Sequence, residues 1–256
     1  MKVVILAGGV GSRLSEETDV RPKPMVEIGH RPILWHIMKH YAHYGFTDFV
    51  LCLGYKGEYI KRYFSEALAD ASDLTVDFAS GTIQHHRRRA EPWRVTLVDT
   101  GQHSETAGRL LKVRDHLTPG EPFMLTYGDG VADVDLGALA KFHESHGKHA
   151  TVTAVHPSAR FGQLALDGDL VVRFDEKPQM SAGWINGGYF VLEPAIFDYI
   201  PGDVDWAKEP LESLAADGQL VANRHESFWQ CMDTLRDKIY LNHLWEQGNA
   251  RWKVWE

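Results

Sequence analysis

The stretch Lys2-Val3-Val4-Ile5-Leu6-Ala7-Gly8-Gly9-Val10-Gly11-Ser12-Arg13-Leu14 decides how the rest of the chain is read. Residues 2–7 form a run that is too short for a membrane span or the apolar core of a leader, and suited to a strand buried on both faces. Such a strand belongs to a sheet covered by helices on either side. Gly8, Gly9 and Gly11 then let the backbone turn tightly and bring main-chain N–H groups close to an anion.

Outward from this stretch, apolar periodicity switches repeatedly between strand and helix. Pro32 sits where a first-turn proline belongs, and Ile33, Leu34, Ile37, Met38 and Tyr41 recur at helical spacing until Gly45. Residues 48–53 read as a strand, 57–68 as a helix, 74–79 and 94–99 as strands, and 106–116 as a helix. A strand over 123–127, a helix over 136–146 and a strand over 150–155 follow. This alternation predicts βαβ units and a largely parallel sheet. Right-handed crossovers then bring the glycine loop and the turn Tyr127-Gly128-Asp129-Gly130 together at one sheet edge.

The second half differs. Residues 163–166 and 170–174 flank Asp167-Gly168-Asp169 as a hairpin, and 185–192 read as a strand. Helices are expected from Pro194 and over 209–217. Thr234-Leu235-Arg236-Asp237 resembles a capping box opening a last helix. The fold class is therefore α/β: a mixed, mostly parallel, Rossmann-like central sheet flanked by helices, with a smaller C-terminal part. No linker or repeat interrupts 1–256, which predicts one unit with halves of about 1–150 and about 151–256 around a cleft.

The 256 residues are 44% hydrophobic and 24% charged, enough for a core without disulfides. Cys52 and Cys231 lie in apolar, strand-like contexts and read as buried thiols of a reducing compartment. No apolar stretch approaches about 18 residues, so no membrane partner and a cytoplasmic location are expected. The net charge of −8 argues against a nucleic-acid partner. An acidic chain must hold anions with a few placed cations, backbone amides or a metal.

Two segments offer such cations. A dinucleotide fingerprint requires glycine where Leu14 stands, and it has no use for the fixed charge of Arg13, so a phosphate-transferring loop fits better. In Arg21-Pro22-Lys23-Pro24, a lysine between two prolines loses little further backbone freedom on binding, although a solvated loop lysine would look the same.

With these residues in place, the chain resembles the sugar-phosphate nucleotidyltransferase family. The resemblance runs through Leu6-Ala7-Gly8-Gly9, Gly11-Ser12-Arg13-Leu14, Pro22-Lys23-Pro24-Met25, Tyr127-Gly128-Asp129-Gly130, Glu176-Lys177-Pro178, Ile185-Asn186-Gly187-Gly188 and Met232-Asp233-Thr234. Glu91-Pro92-Trp93, the run from Val95 to Gly101, and Phe228-Trp229-Gln230 look most like the branch that uses CTP and glucose 1-phosphate. Ser12 replaces the commoner threonine and keeps its hydroxyl.

The resemblance implies Arg13 and Lys23 as catalytic cations, Arg13 on the leaving phosphates and Lys23 on the α-phosphate. Leu6, Ala7, Gly8, Gly9, Gly11, Ser12, Ser104, Arg109 and Gly128 would complete the nucleotide site. Glu176, Lys177, Asn186 and Gly187 would bind the sugar phosphate, while Asp129 and Asp233 would hold Mg²⁺. Asp129 could equally be a turn aspartate, Asp233 a helix-start aspartate, and Lys177 half of an exposed ion pair. Ser104 stands for a commoner threonine and Ala107 for a glycine, which leaves UTP, dTTP or ATP open as the nucleotide. Such transfer needs positioning and charge neutralisation rather than a nucleophile, in keeping with a sequence that shows no Ser-His-Asp or Cys-His arrangement. A silent binding subunit on the same fold is disfavoured by the intact charged set. The resemblance also implies a homo-oligomer. The run His85-His86-Arg87-Arg88-Arg89 reads as a solvated or subunit-contact loop.

Overall fold

The computed structural model describes residues 1–88, 90–157, 163–167, 170–175 and 183–256. Seven strands form the central sheet: β1 (Val3–Leu6), β2 (Asp48–Leu53), β3 (Arg94–Asp99), β4 (Phe123–Tyr127), β5 (Ala150–Val155), β6 (Ile185–Leu192) and β7 (Leu220–His225). Their order is β7-β5-β6-β4-β1-β2-β3. β6 runs antiparallel to both neighbours, and every other pairing is parallel. The expected mixed, mostly parallel α/β sheet is therefore present, and strands from both halves of the chain share it.

Among the described residues, six α-helices of eight or more residues flank the sheet, besides the short turn Ser15–Thr18: α1 (Ile33–His43), α2 (Gly57–Asp70), α3 (Thr106–Val113), α4 (Leu136–His146), α5 (Glu209–Ala216) and α6 (Leu235–Glu246). β1 shows why both faces need covering. Val3 and Ile5 pack in one core with Ile37 and Tyr41 of α1, Leu139 of α4 and Leu241 of α6. Val4 and Leu6 pack in the other with Leu110 of α3, Leu214 of α5 and Trp206. All four residues of β1 are buried, so the strand has no polar face to write into its sequence.

The last segment closes the first core. His36 of α1 donates through Nε2 to the Ile28 carbonyl at 2.8 Å and accepts at Nδ1 from Trp252 at 3.3 Å. Trp245 and Trp255 pack around the same ring. α6 opens on the expected capping box, with Thr234 and Asp237 each bonding the other's backbone.

Three expectations change. The strand expected at 74–79 spans Ser72–Asp77, because Asp77 Oδ1 accepts from the backbone of Ala79 and Ser80 and turns the chain there. Its antiparallel partner is Thr82–Arg88, so most of the basic run, expected as a loop, lies on a strand. Pairing of Val76 with Ile83 and Thr75 with Gln84 overrides the polar composition. The segment from Pro194 is a 3-10 helix ending at Tyr199, since Ile200 is extended ahead of Pro201. The hairpin expected around 167–169 pairs Gln163–Asp167 with Leu170–Asp175; its turn lies outside the described residues.

Candidate active site

The chain leaves β1 toward one edge of the sheet and β4 returns beside it, so the carboxyl ends of β1 and β4 flank the point where strand order reverses, a natural crevice for a ligand. Hydrogen bonds knit the two ends together. Gly128 N donates to the Leu6 carbonyl at 3.0 Å, and Tyr55 N to the Gly8 carbonyl at 3.1 Å. The expected nearness of glycine loop and Gly128-Asp129 turn is observed.

A cavity of about 320 Å³ occupies this crevice. Leu6, Ala7, Gly8, Gly9, Gly11, Ser12, Arg13, Lys23, Ser104, Arg109 and Gly128 all line it, together with Asp129. A second cavity of about 340 Å³ is lined by Asn186 and Gly187, with Trp229 and Asp233. Arg13, Tyr127 and Asp129 belong to both walls. Residues expected to meet nucleotide and residues expected to meet sugar therefore line adjoining spaces. Glu176 and Lys177 lie outside the described residues.

Local geometry explains the loop. Gly11 has φ +69°, and a Cβ there would sit 3.0 Å from Thr18 Cγ2 and 3.1 Å from Lys23 Cβ. Lys23 begins a 3-10 turn after extended Pro22, with Pro24 as its next residue. Pro24 packs against Gly128, leaving only 3.0 Å for a Cβ. The double-proline mount thus buries Lys23 and aims it inward.

Its ammonium lies 2.6 Å from Asp129 Oδ2 and 2.5 Å from Asp233 Oδ1. Arg13 Nη1 reaches the other Asp233 oxygen at 2.7 Å, while its own side chain is 69% exposed toward the cleft. Two cations and two carboxylates form one compact group. Burial opposes charge on Lys23, yet the two carboxylates outweigh it and raise its pKa above the ordinary lysine value. Burial likewise pushes the Asp233 carboxyl up, and Lys23 and Arg13 together bring it below the ordinary range.

Residues more than a hundred positions apart meet here because of a short ladder. Gly130–Ala132 pairs antiparallel with Trp229–Cys231, and Met232 N donates to the Asp129 carbonyl at 2.8 Å. Neither strand is long enough to show a pattern in sequence.

Arg109 has a duty that sequence reasoning missed. It is 4% exposed, and its guanidinium donates to Gly8 O at 3.0 Å, Gly101 O at 2.8 Å and Thr100 Oγ1 at 2.7 Å. It braces the glycine loop from beneath while lining the cavity. Two residues that the sequence offered only as parts of motifs also wall the site: Tyr127, whose phenol burial pushes up to about 12, and Trp229, which donates to the Gly187 carbonyl at 2.7 Å. An aromatic beside a strand-end glycine carries no distinctive signal. Cys52 is buried and Cys231 half-buried; both are free thiols, and burial pushes each to about 12.

A glycine loop at a sheet switch point faces paired carboxylates across a lysine, and the chain belongs to the nucleotidyl transferase family, whose sequence model matches residues 2–234. It is 54% identical, over the full length of both chains, to a glucose-1-phosphate cytidylyltransferase of Salmonella typhi. It is also 45% identical, again over both full lengths, to a probable glucose-1-phosphate cytidylyltransferase of Bacillus subtilis. The fold matches the crystal structure of HddC from Yersinia pseudotuberculosis with a TM-score of 0.69 at 22% identity, covering 95% of this chain and 99% of that one.

Proposed function

We propose that the cleft transfers a cytidylyl group from CTP to α-D-glucose 1-phosphate, giving CDP-glucose and pyrophosphate. The observation that carries this reading is the convergence of Arg13, Lys23, Asp129 and Asp233 where the two cavities adjoin. The full-length likeness to cytidylyltransferases supports the choice of substrates.

A phosphate oxygen of glucose 1-phosphate forms the new bond to the α-phosphorus. The bond to the bridging oxygen breaks in line, and its electron pair leaves with pyrophosphate. The attacking oxygen is already ionised, so the protein supplies position and charge rather than a base. Arg13, exposed over the cleft, grips the leaving phosphates. Lys23 has three N–H donors; two face the carboxylates and the third is left for the α-phosphate. Asp129 and Asp233 are the hard oxygen donors that would hold a Mg²⁺ ion. When bound, that ion neutralises phosphate charge. Asn186 and Gly187, with Glu176 and Lys177, would hold the sugar phosphate, dividing the work between halves of about 1–150 and about 151–256.

Among the described residues no helix is long and apolar enough to cross a membrane. A cytoplasmic enzyme without nucleic-acid or membrane partners fits the acidic composition. Assembly of several identical subunits would cover the exposed Val76, Phe78 and Ile83 of the hairpin that follows α2.

Pyrophosphate release from CTP, UTP, dTTP and ATP, each with glucose 1-phosphate and with or without Mg²⁺, tests the reading. CTP should be favoured at least about tenfold, with turnover lost on chelation. Equal turnover with another nucleotide would reject the cytidylyl assignment, and none with any would reject the reaction.

A further inference from the structure

Lys112 stands on the exposed side of α3, outside the cavity wall, and nothing in the reaction above uses it. Its ammonium donates to the Thr100 carbonyl at 2.8 Å and to Ser104 Oγ at 2.7 Å. Ser104 in turn donates to the same Thr100 carbonyl at 2.5 Å. An ammonium can only donate and a carbonyl can only accept, so these contacts fix the direction of both hydroxyl bonds. The single Ser104 hydrogen is committed to Thr100, and one lone pair is committed to Lys112. What Ser104 keeps for a ligand in the cavity it lines is one lone pair and no hydrogen.

The frame around this hydroxyl is fixed. Thr100 is 1% exposed and its own hydroxyl donates to the Leu53 carbonyl at 2.6 Å. Gly101 has φ +89°, and a Cβ there would lie 3.1 Å from Ser104 Oγ and 3.4 Å from Lys112 Nζ. The turn thus leaves room for the lysine and the serine to meet over the same carbonyl.

We infer that Lys112 is a specificity-positioning residue: it holds Ser104 as an obligate acceptor, and the site thereby selects a base that presents an amino group, cytosine over uracil. The inference rests on the CTP reading given above. On the pairing edge of cytosine, N3 and O2 accept and only the exocyclic amino group donates, so an acceptor-only hydroxyl has one possible partner there. Uracil bound in the same register sets O4 against the Ser104 lone pair. One hydrogen bond is lost, and two acceptors are left facing each other. Without the Lys112 ammonium the hydroxyl can turn and offer its hydrogen to O4.

Steady-state kcat/KM with CTP and with UTP, at saturating glucose 1-phosphate, tests this in K112M, K112R, S104A and the S104A/K112M double variant. The CTP:UTP ratio should fall about tenfold in K112M while the thermal midpoint stays within a few degrees of the parent. K112R keeps a donor in place and should hold the ratio within about twofold of the parent. S104A should lower the ratio, and K112M should then change it no further. An unchanged ratio in K112M overturns the inference, as does a further fall in the Ser104→Ala background. Loss of the cytidylyl reading itself would be visible separately, as an absence of CTP preference in the unaltered protein, and the inference would fall with it.

Discussion

At Lys23 two demands meet. In the proposed reaction the ammonium must be buried to act strongly on a phosphate, and burial disfavours its charge. Asp129 and Asp233 resolve the conflict, so that Lys23 gains basicity and Asp233 acidity. The sign of the linkage follows. The Asp233 contribution to stability is whole above the ordinary carboxylate value, about 3.9, and is lost as pH falls through its lower folded pKa. The Lys23 contribution is whole below about 10.4 and is lost as pH rises through its higher folded pKa. Neither group titrates near neutrality, so rate changes between about pH 6 and 9 should not trace to Lys23 or Asp233. Lys23→Ala should lower kcat about 10²- to 10³-fold while changing the dissociation constant of the nucleotide far less, since the charge is needed chiefly as the phosphorus becomes five-coordinate. Single-turnover rates alongside calorimetric titration check this; near-parental turnover would remove Lys23 from the chemistry.

Elements transmit these placements. The glycine loop keeps its shape because Arg109 of α3 pins the Gly8 carbonyl, and a Cβ on Gly8 would sit 2.2 Å from Arg109 Nη1. Gly8→Ala should therefore displace the guanidinium and raise the nucleotide KM by about tenfold or more, with a smaller effect on unfolding. A fall in thermal stability without a change in KM would contradict that order. At the opposite wall, the cap of α6 also orients Asp233, whose N–H donates to Asp237 Oδ2 at 3.1 Å. Thr234→Ala removes the side-chain cap and should cost about 1 kcal/mol, a drop of about 2–4 °C in the thermal midpoint. Differential scanning calorimetry measures it, and the accompanying loss of turnover should exceed that of a cap variant in α4, whose Asp135 lies outside both cavity walls.

For the molecule as a whole, acid stability should be governed by buried histidines, His36 and His40 foremost, rather than by the cleft. Burial pushes His36 and His40 down to about 4. A histidine with a depressed folded pKa stabilises fully above its unfolded value, about 6.5, and loses that contribution as pH falls toward the folded one. The thermal midpoint should decline through that window, and His40→Gln should lower it at pH 7 yet make the acid-side slope shallower. A parallel slope in the variant would assign the decline to other groups. The same two rings tie α1 to Trp252 and to the Val134 carbonyl, so acid should loosen α1 from both segments.

The sheet was readable in advance because its strands are buried on both faces and therefore written as apolar runs: residues 3–6, 48–53, 123–127 and 150–155 carry that mark unaided. The glycine loop was equally legible, since close backbone approach is a property of adjacent residues, whereas at Lys23 a solvated loop lysine would have looked the same. The strand Thr82–Arg88 was not legible, because hairpin pairing rather than composition makes it. Nor could local pattern place Asp129 against Asp233, fix the direction of the Ser104 hydroxyl, or turn Arg109 beneath Gly8. Those depend on a three-residue ladder, a shared carbonyl and a guanidinium reaching across strands. Periodicity records which side of an element faces apolar surroundings, whereas hydrogen-bond direction and charge pairing arise only when distant segments pack together.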